Sequence, residues 1–280
     1  MTTARIHTAL PVHRMTRGEA FEAHGVRGED AELDPFLMID HFRMRAPTFG
    51  AHPHAGFSAV TYLFDDATGG LQNRDARGDD SQIRAGDLHW TIAGRGTIHD
   101  ETPLLPGREA HGLQLFVNLP AADKWRAPDA IHLERERMPR LRQPGGAEVK
   151  LVFGGYDDGR ERRAPVAPLP TEVALFDVHL CPGAAFRYPL PPGRTALLLA
   201  IAGTVRTDGA NIAVGQAVAF DRSGGEIVVD VDAGADARFA LLTGTPLDEP
   251  VARHGPFAMG SPADLARVID DYRAGRFGQL

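Results

Sequence analysis

Two short pairs of metal-binding residue types are the most reactive feature of this 280-residue chain. His52 and His54 are separated by one proline, and His99 and Glu101 follow about 45 residues later with the same spacing. Side chains two residues apart point to the same side of an extended strand. Two neighbouring strands would therefore present three imidazoles and one carboxylate together. This donor set suits iron, copper, nickel, manganese or zinc better than calcium or magnesium.

The spacing alone does not separate a metal site from ordinary surface or core histidines, because the chain contains 12 histidines. The sequence between the two pairs favours the metal site. Residues 58–64, 83–90 and 91–96 are rich in β-forming residues and are punctuated by glycine. Such segments predict short strands with tight turns, as in an antiparallel barrel.

The composition predicts a globular all-β protein. Hydrophobic residues make up 43% of the chain and charged residues 24%, and the 31 glycines and 21 prolines indicate many turns and short strands. The length suits two domains. We expect a metal-binding domain over residues 1–130, a connector over 131–146, a second barrel over 147–250 and a tail over 251–280.

The second barrel is predicted to lack a metal. Its predicted strands cover 149–153, 174–178, 196–201, 216–220 and 238–242, and a weak internal repeat links 84–90 with 213–219. Beyond the connector the only histidines are His179 and His254, which lie far apart. The chemistry of the first half is therefore not repeated in the second.

The tail differs from the rest of the chain because its pattern is helical. Ser261 is a suitable N-cap, Pro262 suits the first turn, and apolar residues recur at helical spacing until Gly275. We expect a terminal amphipathic helix whose apolar face packs against a barrel.

Charge and cysteine content exclude some classes of function. A net charge of −7 disfavours direct nucleic-acid binding through phosphate neutralisation. Cys181 is the single cysteine, which permits no internal disulfide, fits a reducing compartment and is interpreted as a small buried hydrophobe. The sequence shows no apolar signal core and no membrane span. These features predict a cytoplasmic protein without membrane attachment, and the absence of a coiled-coil pattern predicts a monomer.

Five ordered motifs resemble the pirin family of the cupin superfamily, and the tail segments 253–259 and 271–278 resemble the same family. The five motifs are Asp34–Phe42, His52–Phe57, Gly86–Trp90, Ala93–Glu101 and His111–Pro120. The resemblance implies a bicupin, which consists of two antiparallel β-barrels of the double-stranded β-helix type, here with a short C-terminal helix. It also implies one metal ion, commonly iron, in the N-terminal barrel only.

The resemblance assigns the metal ligands to His52, His54, His99 and Glu101. Fe(II) is the expected ion, with copper, nickel, manganese, cobalt or zinc as alternatives. The sequence departs from the family at two positions. Ser58 stands where many relatives have glutamate, and Asn73 stands where similar bacterial sequences often have histidine.

The activity that the resemblance implies is that of a quercetin 2,3-dioxygenase. A flavonol-like aromatic substrate and dioxygen would be the partners, with Glu101 as the general base for the flavonol 3-hydroxyl. Ring opening would then release carbon monoxide. Two alternatives remain open: a redox-responsive regulator that acts through protein partners, and a cupin enzyme such as an isomerase with an unknown substrate.

Other residues near the motifs are candidates for roles beside the site. Phe42, Phe57 and Trp90 could line a flat slot, but we expect them to be ordinary core residues. Asp40 and His41 could orient a ligand imidazole or cap a strand. We expect His89 and His111 to be structural or surface residues.

Overall fold

The computed structural model describes residues 2–27, 31–165 and 167–280. This part of the chain contains 26 strands and one α-helix, α1 (Pro262–Arg273), which confirms the mostly-β prediction. The strands are β1 (Ile6–Leu10), β2 (His13–Arg17), β3 (Phe21–Arg27), β4 (Phe36–Met44), β5 (His52–His54), β6 (Phe57–Leu63), β7 (Leu71–Asp75), β8 (Asp80–Ile83), β9 (Leu88–Ile92), β10 (Thr97–Pro103), β11 (Ala110–Asn118), β12 (Asp129–Leu133), β13 (Arg140–Arg142), β14 (Glu148–Phe153), β15 (Tyr156–Asp157), β16 (Arg162–Arg163), β17 (Val173–Leu180), β18 (Ala185–Leu190), β19 (Thr195–Ala202), β20 (Thr204–Thr207), β21 (Ala210–Ala213), β22 (Ala217–Phe220), β23 (Gly225–Asp230), β24 (Ala237–Gly244), β25 (Ala252–His254) and β26 (Phe257–Met259).

The strands belong to two compact units. The N-terminal unit contains residues 13–25, 36–135 and 247–280, and the C-terminal unit contains the described residues within 1–12, 26–35 and 136–246. The chain passes from one unit to the other between Arg135 and Glu136, inside the predicted connector. That connector is more regular than its sequence suggests, because it includes the end of β12 and all of β13. Residues 2–12 and 247–280 each lie in the unit formed mainly by the opposite half of the sequence.

The two units have the same strand order. The N-terminal unit has a seven-stranded sheet in the order β12-β9-β6-β11-β4-β3-β2 and a four-stranded sheet in the order β5-β10-β7-β8. The C-terminal unit has the orders β1-β22-β19-β24-β17-β14-β13 and β18-β23-β20-β21. We number the strands along the chain from β5 in the N-terminal unit and from β18 in the C-terminal unit. In each four-stranded sheet the strands then lie side by side in the order first, sixth, third and fourth. Strand β5 is therefore equivalent to β18, and β10 is equivalent to β23.

The interiors of the two units differ. In the C-terminal unit one apolar cluster joins both sheets, with Phe176 and Phe239 from the larger sheet and Phe186 and Ile227 from the smaller one. In the N-terminal unit separate smaller clusters are found, among them one around Phe42 and another around Phe57. The same unit also buries polar side chains, among them Thr61 and His89.

The predicted terminal helix is confirmed in detail. The Ser261 side chain accepts a hydrogen bond from the Asp264 backbone N–H, and Pro262 begins the helix. Val268 is fully buried in a cluster with Phe257 and Met259 of the N-terminal unit. The helix therefore packs against this unit, as its apolar stripe predicts. In the described residues, no helix has the length and apolar character needed to cross a membrane.

Candidate metal centre

The two sequence pairs meet on adjacent strands. Strands β5 and β10 pair antiparallel, so that His52 lies opposite His99 and His54 lies opposite Thr97. One ring nitrogen from each of His52, His54 and His99 lies within 4.8 Å of the other two. Three nitrogens that are equally spaced around one ion at about 2.1 Å are about 3.6 Å apart. A movement of each ring by at most about 0.7 Å is therefore enough for all three to share one ion.

The protonation of these histidines suits metal binding. Burial lowers the pKa of His54 well below its usual range, and neighbouring His99 and His52 lower it further. Burial, with a contribution from His52, lowers the pKa of His99 to about 3. Both rings are therefore neutral at physiological pH and keep the lone pair that a metal requires.

Hydrogen bonds and burial also fit a bound ion. The Nδ1 of His52 lies 2.8 Å from the Gly50 carbonyl oxygen. A carbonyl can only accept, so Nδ1 is the donor and the Nε2 of His52 keeps its lone pair for an ion. The Nδ1 of His99 is buried and has no hydrogen-bond partner among the described residues. Three converging imidazoles with these properties fit a transition metal.

Glu101 lies on β10, two residues after His99. In the described structure its carboxyl oxygens are not within 4.8 Å of all three histidine ring nitrogens. Thr61 of β6 places its hydroxyl 2.8 Å from each carboxyl oxygen of Glu101 and 2.8 Å from Oε1 of Gln114. Burial raises the pKa of Glu101 to about 7, although the Thr61 hydrogen bond opposes this rise. The role of Glu101 as the fourth ligand stays a prediction.

The hydrogen-bonded row of Glu101, Thr61 and Gln114 can accommodate Glu101 both with and without its proton. A threonine hydroxyl carries one hydrogen, so Thr61 donates either to Glu101 or to Gln114. When Glu101 is ionised, Thr61 donates to it. When Glu101 is protonated, its own hydrogen can go to Thr61, and Thr61 then donates to Gln114. Both protonation states of Glu101 are therefore accommodated.

Thr61 and Gln114 were not predicted as site residues, although the sequence contains a signal. Along β6, Phe57, Ala59, Thr61 and Leu63 share one face by strand alternation. A hydroxyl on the inward face of an otherwise apolar strand needs a buried partner. Gln114 lies opposite Thr61 on β11, where the same argument applies.

His89 is more deeply buried than a surface histidine and lies near the site. Its Nδ1 is 3.4 Å from Nδ1 of His132, and its Nε2 is 3.9 Å from Asp79. Burial lowers the pKa of His89 to about 4. Asn73, the second departure from the family pattern, donates to Asp79 at 2.7 Å. This polar group lines the same interior as the histidine cluster, because His89 lies opposite Thr61.

Other predicted neighbours divide between the site and the core. The Phe57 ring lies 5.1 Å from the His54 ring and 4.5 Å from the Phe116 ring, so Phe57 borders the site. Phe42 belongs to a separate apolar cluster. Trp90 follows His89 on β9 and therefore faces the opposite side of the sheet.

The remaining predicted polar neighbours do not show one common role. Asp40 is buried on β4, opposite Gln114. His41, the next residue, faces the other side, where its Nε2 lies 2.8 Å from Nε2 of His111. His111 is thus a structural residue, as expected. Ser58 is fully buried on β6.

Cys181 does not match its interpretation as a buried hydrophobe. It is only partly buried, and it begins a turn after β17 in which the Ala184 backbone N–H donates to the Cys181 carbonyl. A turn at the end of a strand leaves its first residue partly open to solvent, which the spacing of apolar residues does not reveal.

The tail supports the turn that follows His54. Gly56 has a φ of +80°, and a Cβ there would lie 2.0 Å from the Ala258 carbonyl oxygen of β26. The Ala258 N–H donates to the Ala55 carbonyl at 3.0 Å. Buried Lys124 donates to the carbonyls of Gly56 and Ala258 at 2.8 and 3.0 Å. Strand β26 and the Lys124 side chain therefore both fix the backbone beside His54.

Comparisons with known proteins agree with the geometry. The family model described as "Pirin" matches residues 17–117, and the model described as "Pirin C-terminal cupin domain" matches residues 175–278. A pirin-like protein of Caulobacter vibrioides is 34% identical over 95% of this chain and 99% of its own. Pirin of Homo sapiens is 34% identical over 90% of this chain and 86% of its own.

A solved structure supports the same relationship. The structure of a quercetin 2,3-dioxygenase from Acinetobacter baumannii superimposes with a TM-score of 0.88, at 27% identity and with 99% of both chains covered. The sequence relatives and the matched fold cover nearly the whole chain. The chain therefore belongs to the pirin family and has its two-domain cupin fold.

Proposed function

We propose that the protein is a metal-dependent dioxygenase that cleaves flavonols such as quercetin with dioxygen. The observation that carries the proposal is the convergence of three imidazoles, two of them deeply buried, next to a buried carboxyl group. The similarity to a solved structure named as a quercetin 2,3-dioxygenase supports the choice of substrate class.

In this proposal His52, His54 and His99 hold the ion, with Glu101 as the fourth ligand. Fe(II) is the proposed metal, and copper, nickel, manganese, cobalt and zinc are compatible with the same donors. When bound, the metal supplies Lewis acidity and, if redox-active, electron exchange with dioxygen.

Glu101 is the proposed general base. In the metal-free protein burial raises the pKa of Glu101 to about 7, so this carboxylate, when it is released from the ion, takes up a proton readily at neutral pH. Its carboxylate would accept the proton of the flavonol 3-hydroxyl, and the Thr61–Gln114 row would hold the protonated form by reversing its hydrogen bonds. Phe57 and Phe116 place aromatic surface beside His54, which suits a flat polyphenol.

We also propose that the protein acts in the cytoplasm, because its single cysteine fits a reducing compartment. The net charge of −7 disfavours direct contact with nucleic acid, and we propose no contact with a membrane. We propose a monomer because the sequence has no coiled-coil pattern.

The test compares quercetin consumption by Fe(II)-loaded protein with and without dioxygen. We expect loss of flavonol absorbance and release of carbon monoxide only when dioxygen is present, and neither in the Glu101→Gln protein. Metal content is measured in every sample. A wild-type sample with bound metal that leaves quercetin unchanged in air would exclude the enzymatic proposal and favour a regulatory role.

A further inference from the structure

The C-terminal unit contains a cavity of about 820 Å³ that the proposed function does not use. Buried Tyr156, Tyr188 and Leu190 form its inner wall, and Pro191 and Pro192 border its outer part. A volume of this size is in the range of cavities that bind small molecules. All of its lining residues belong to the C-terminal unit, so the cavity is separate from the candidate metal centre.

Tyr188 supplies a polar group on the inner wall of the cavity. It lies on β18, the strand equivalent to histidine-bearing β5, and is 5% exposed. No hydrogen bond joins its hydroxyl to any other described residue. The Tyr188 hydroxyl oxygen is not fully enclosed by protein atoms. It therefore reaches the open space of the cavity. A buried tyrosine hydroxyl normally has a hydrogen-bond partner.

Tyr156 provides a direct contrast in the same cavity. Its ring lies 6.0 Å from the Tyr188 ring, but its hydroxyl is fully used. It accepts from Nε2 of Gln143 at 2.7 Å and donates to Asp158 at 2.9 Å. Of these two buried hydroxyls, only that of Tyr188 is available to a ligand.

The charged groups at the cavity argue for an uncharged ligand. Arg194 is paired with Glu172 at 2.7 Å, and Arg162 is paired with Asp157 at 2.7 Å. Arg163 is paired with Glu161. Because each of these guanidinium groups already has a carboxylate partner, they offer little attraction to an anion.

We propose that this cavity is a second binding site, which takes an uncharged planar aromatic compound with a hydroxyl or carbonyl group that hydrogen-bonds to Tyr188. Tyrosine rings, leucine and proline provide the apolar surface on which such a ring packs. The site does not require the metal, and it is independent of the proposed dioxygenase activity.

The experiment titrates chelator-treated protein with 7-hydroxycoumarin, which has a hydroxyl and a carbonyl but no flavonol 3-hydroxyl. Binding is measured by calorimetry. We expect one saturable site, and we expect Tyr188→Phe to weaken binding by about threefold to tenfold because one hydrogen bond is lost. Ser223→Trp, at an exposed position on the cavity wall, is expected to abolish binding.

Tyr272→Phe is the matched control. It removes the hydroxyl of an exposed tyrosine on α1 of the N-terminal unit, outside the cavity, so the affinity for 7-hydroxycoumarin should stay within about twofold. Absence of saturable binding to the wild type up to about 1 mM would overturn the proposal, since weaker binding is not specific recognition. Unchanged affinity in Tyr188→Phe would overturn it as well, whatever the result with Ser223→Trp.

Discussion

Both units contain the same pair of strands, but the inward side chains of the pair are polar in one unit and mostly apolar in the other. In the N-terminal unit, His99 is the third residue of β10 and lies opposite His52 on β5. In the C-terminal unit, Ile227 is the third residue of β23 and lies opposite Tyr188 on β18. The positions that carry imidazoles in one unit thus carry an aliphatic and an aromatic side chain in the other.

The surroundings of these positions differ in the same way. In the C-terminal unit Phe186, Leu190 and Val229 continue a single apolar cluster that joins both sheets. In the N-terminal unit the corresponding space holds histidines, Glu101 and its hydrogen-bond partners between smaller clusters. Burying neutral imidazoles and a carboxyl group costs stability that a bound ion can restore. The topology therefore supports either a continuous core or a metal centre, and the inward side chains decide between them.

The comparison predicts its largest effect for a ligand substitution. His99→Ala should lower the amount of bound metal well below the wild-type level of about one ion per chain, because one of the three converging imidazoles is lost. His179→Ala, an exposed histidine on β17 of the C-terminal unit, is the matched control and should keep its metal. Metal analysis after reconstitution and desalting gives the measurement. Full metal occupancy in His99→Ala would mean that the ion binds elsewhere.

A core substitution in the other unit should have a large effect on stability alone. Phe239 is fully buried in the continuous cluster of the C-terminal unit. Phe239→Ala should lower the free energy of unfolding by about 3–5 kcal/mol, as expected for loss of a buried phenylalanine. Denaturant unfolding and metal titration together give the test. A parallel loss of metal affinity in the folded variant would contradict the separation of roles between the units.

Glu101 should make the stability of metal-free protein depend on pH. Its pKa is near 7 in the folded protein, above its ordinary value of 4.5, so ionisation is less favourable in the folded state. This contribution to stability is present at pH 5 and is lost as the pH rises through 7. The free energy of unfolding of Glu101→Gln, relative to that of wild type, should therefore rise by on the order of 2 kcal/mol between pH 5 and pH 8.

Unfolding of chelator-treated wild type and Glu101→Gln at both pH values provides the measurement. Using the difference between the two proteins removes the contribution of the histidines, which they share. A difference that does not change with pH would show that Glu101 is ionised in the folded protein throughout this range.

Loss of the Thr61 hydroxyl should have a smaller effect. The hydrogen bond from Thr61 lowers the pKa of Glu101, so Thr61→Val should raise that pKa further and leave less carboxylate at pH 7. If Glu101 is a ligand, metal affinity at pH 7 should fall by roughly tenfold, which is typical for loss of a group that orients a ligand. Calorimetric metal titration measures the change.

Thr91→Val is the matched control for this prediction. Thr91 is also a buried threonine of the N-terminal unit, but its hydroxyl has no hydrogen-bond partner in the described structure. Its loss should leave metal affinity unchanged. Equal affinities for Thr61→Val and wild type would argue against Glu101 as a ligand.

Much of the fold and of the site follows from local sequence pattern. Alternation and turns indicate the strands, and the helix begins at Pro262, directly after the N-cap Ser261, as the sequence predicts. The spacing of His52, His54 and His99 indicates a shared face, and the family resemblance selects the same residues. The strand and helix predictions are confirmed because they depend on the geometry of a single strand or helix. The roles of the three histidines as metal ligands stay predictions.

What the sequence does not reveal depends on pairing between distant segments. Nothing in residues 6–10 shows that β1 pairs with β22 in the C-terminal unit. Thr61 and Gln114 were missed because their importance arises only when β6 and β11 lie beside each other, with Glu101 facing them. The sequence neighbours of His89 do not reveal its environment, which is set by His132 and Asp79.

The position of residues 247–280 in the N-terminal unit has a consequence for biosynthesis. During translation these residues leave the ribosome only after the whole C-terminal unit has been made. Until then the turn after His54 lacks the Ala258 contacts that hold its backbone. Metal loading of the nascent chain should therefore follow, rather than accompany, synthesis of the histidine-bearing strands.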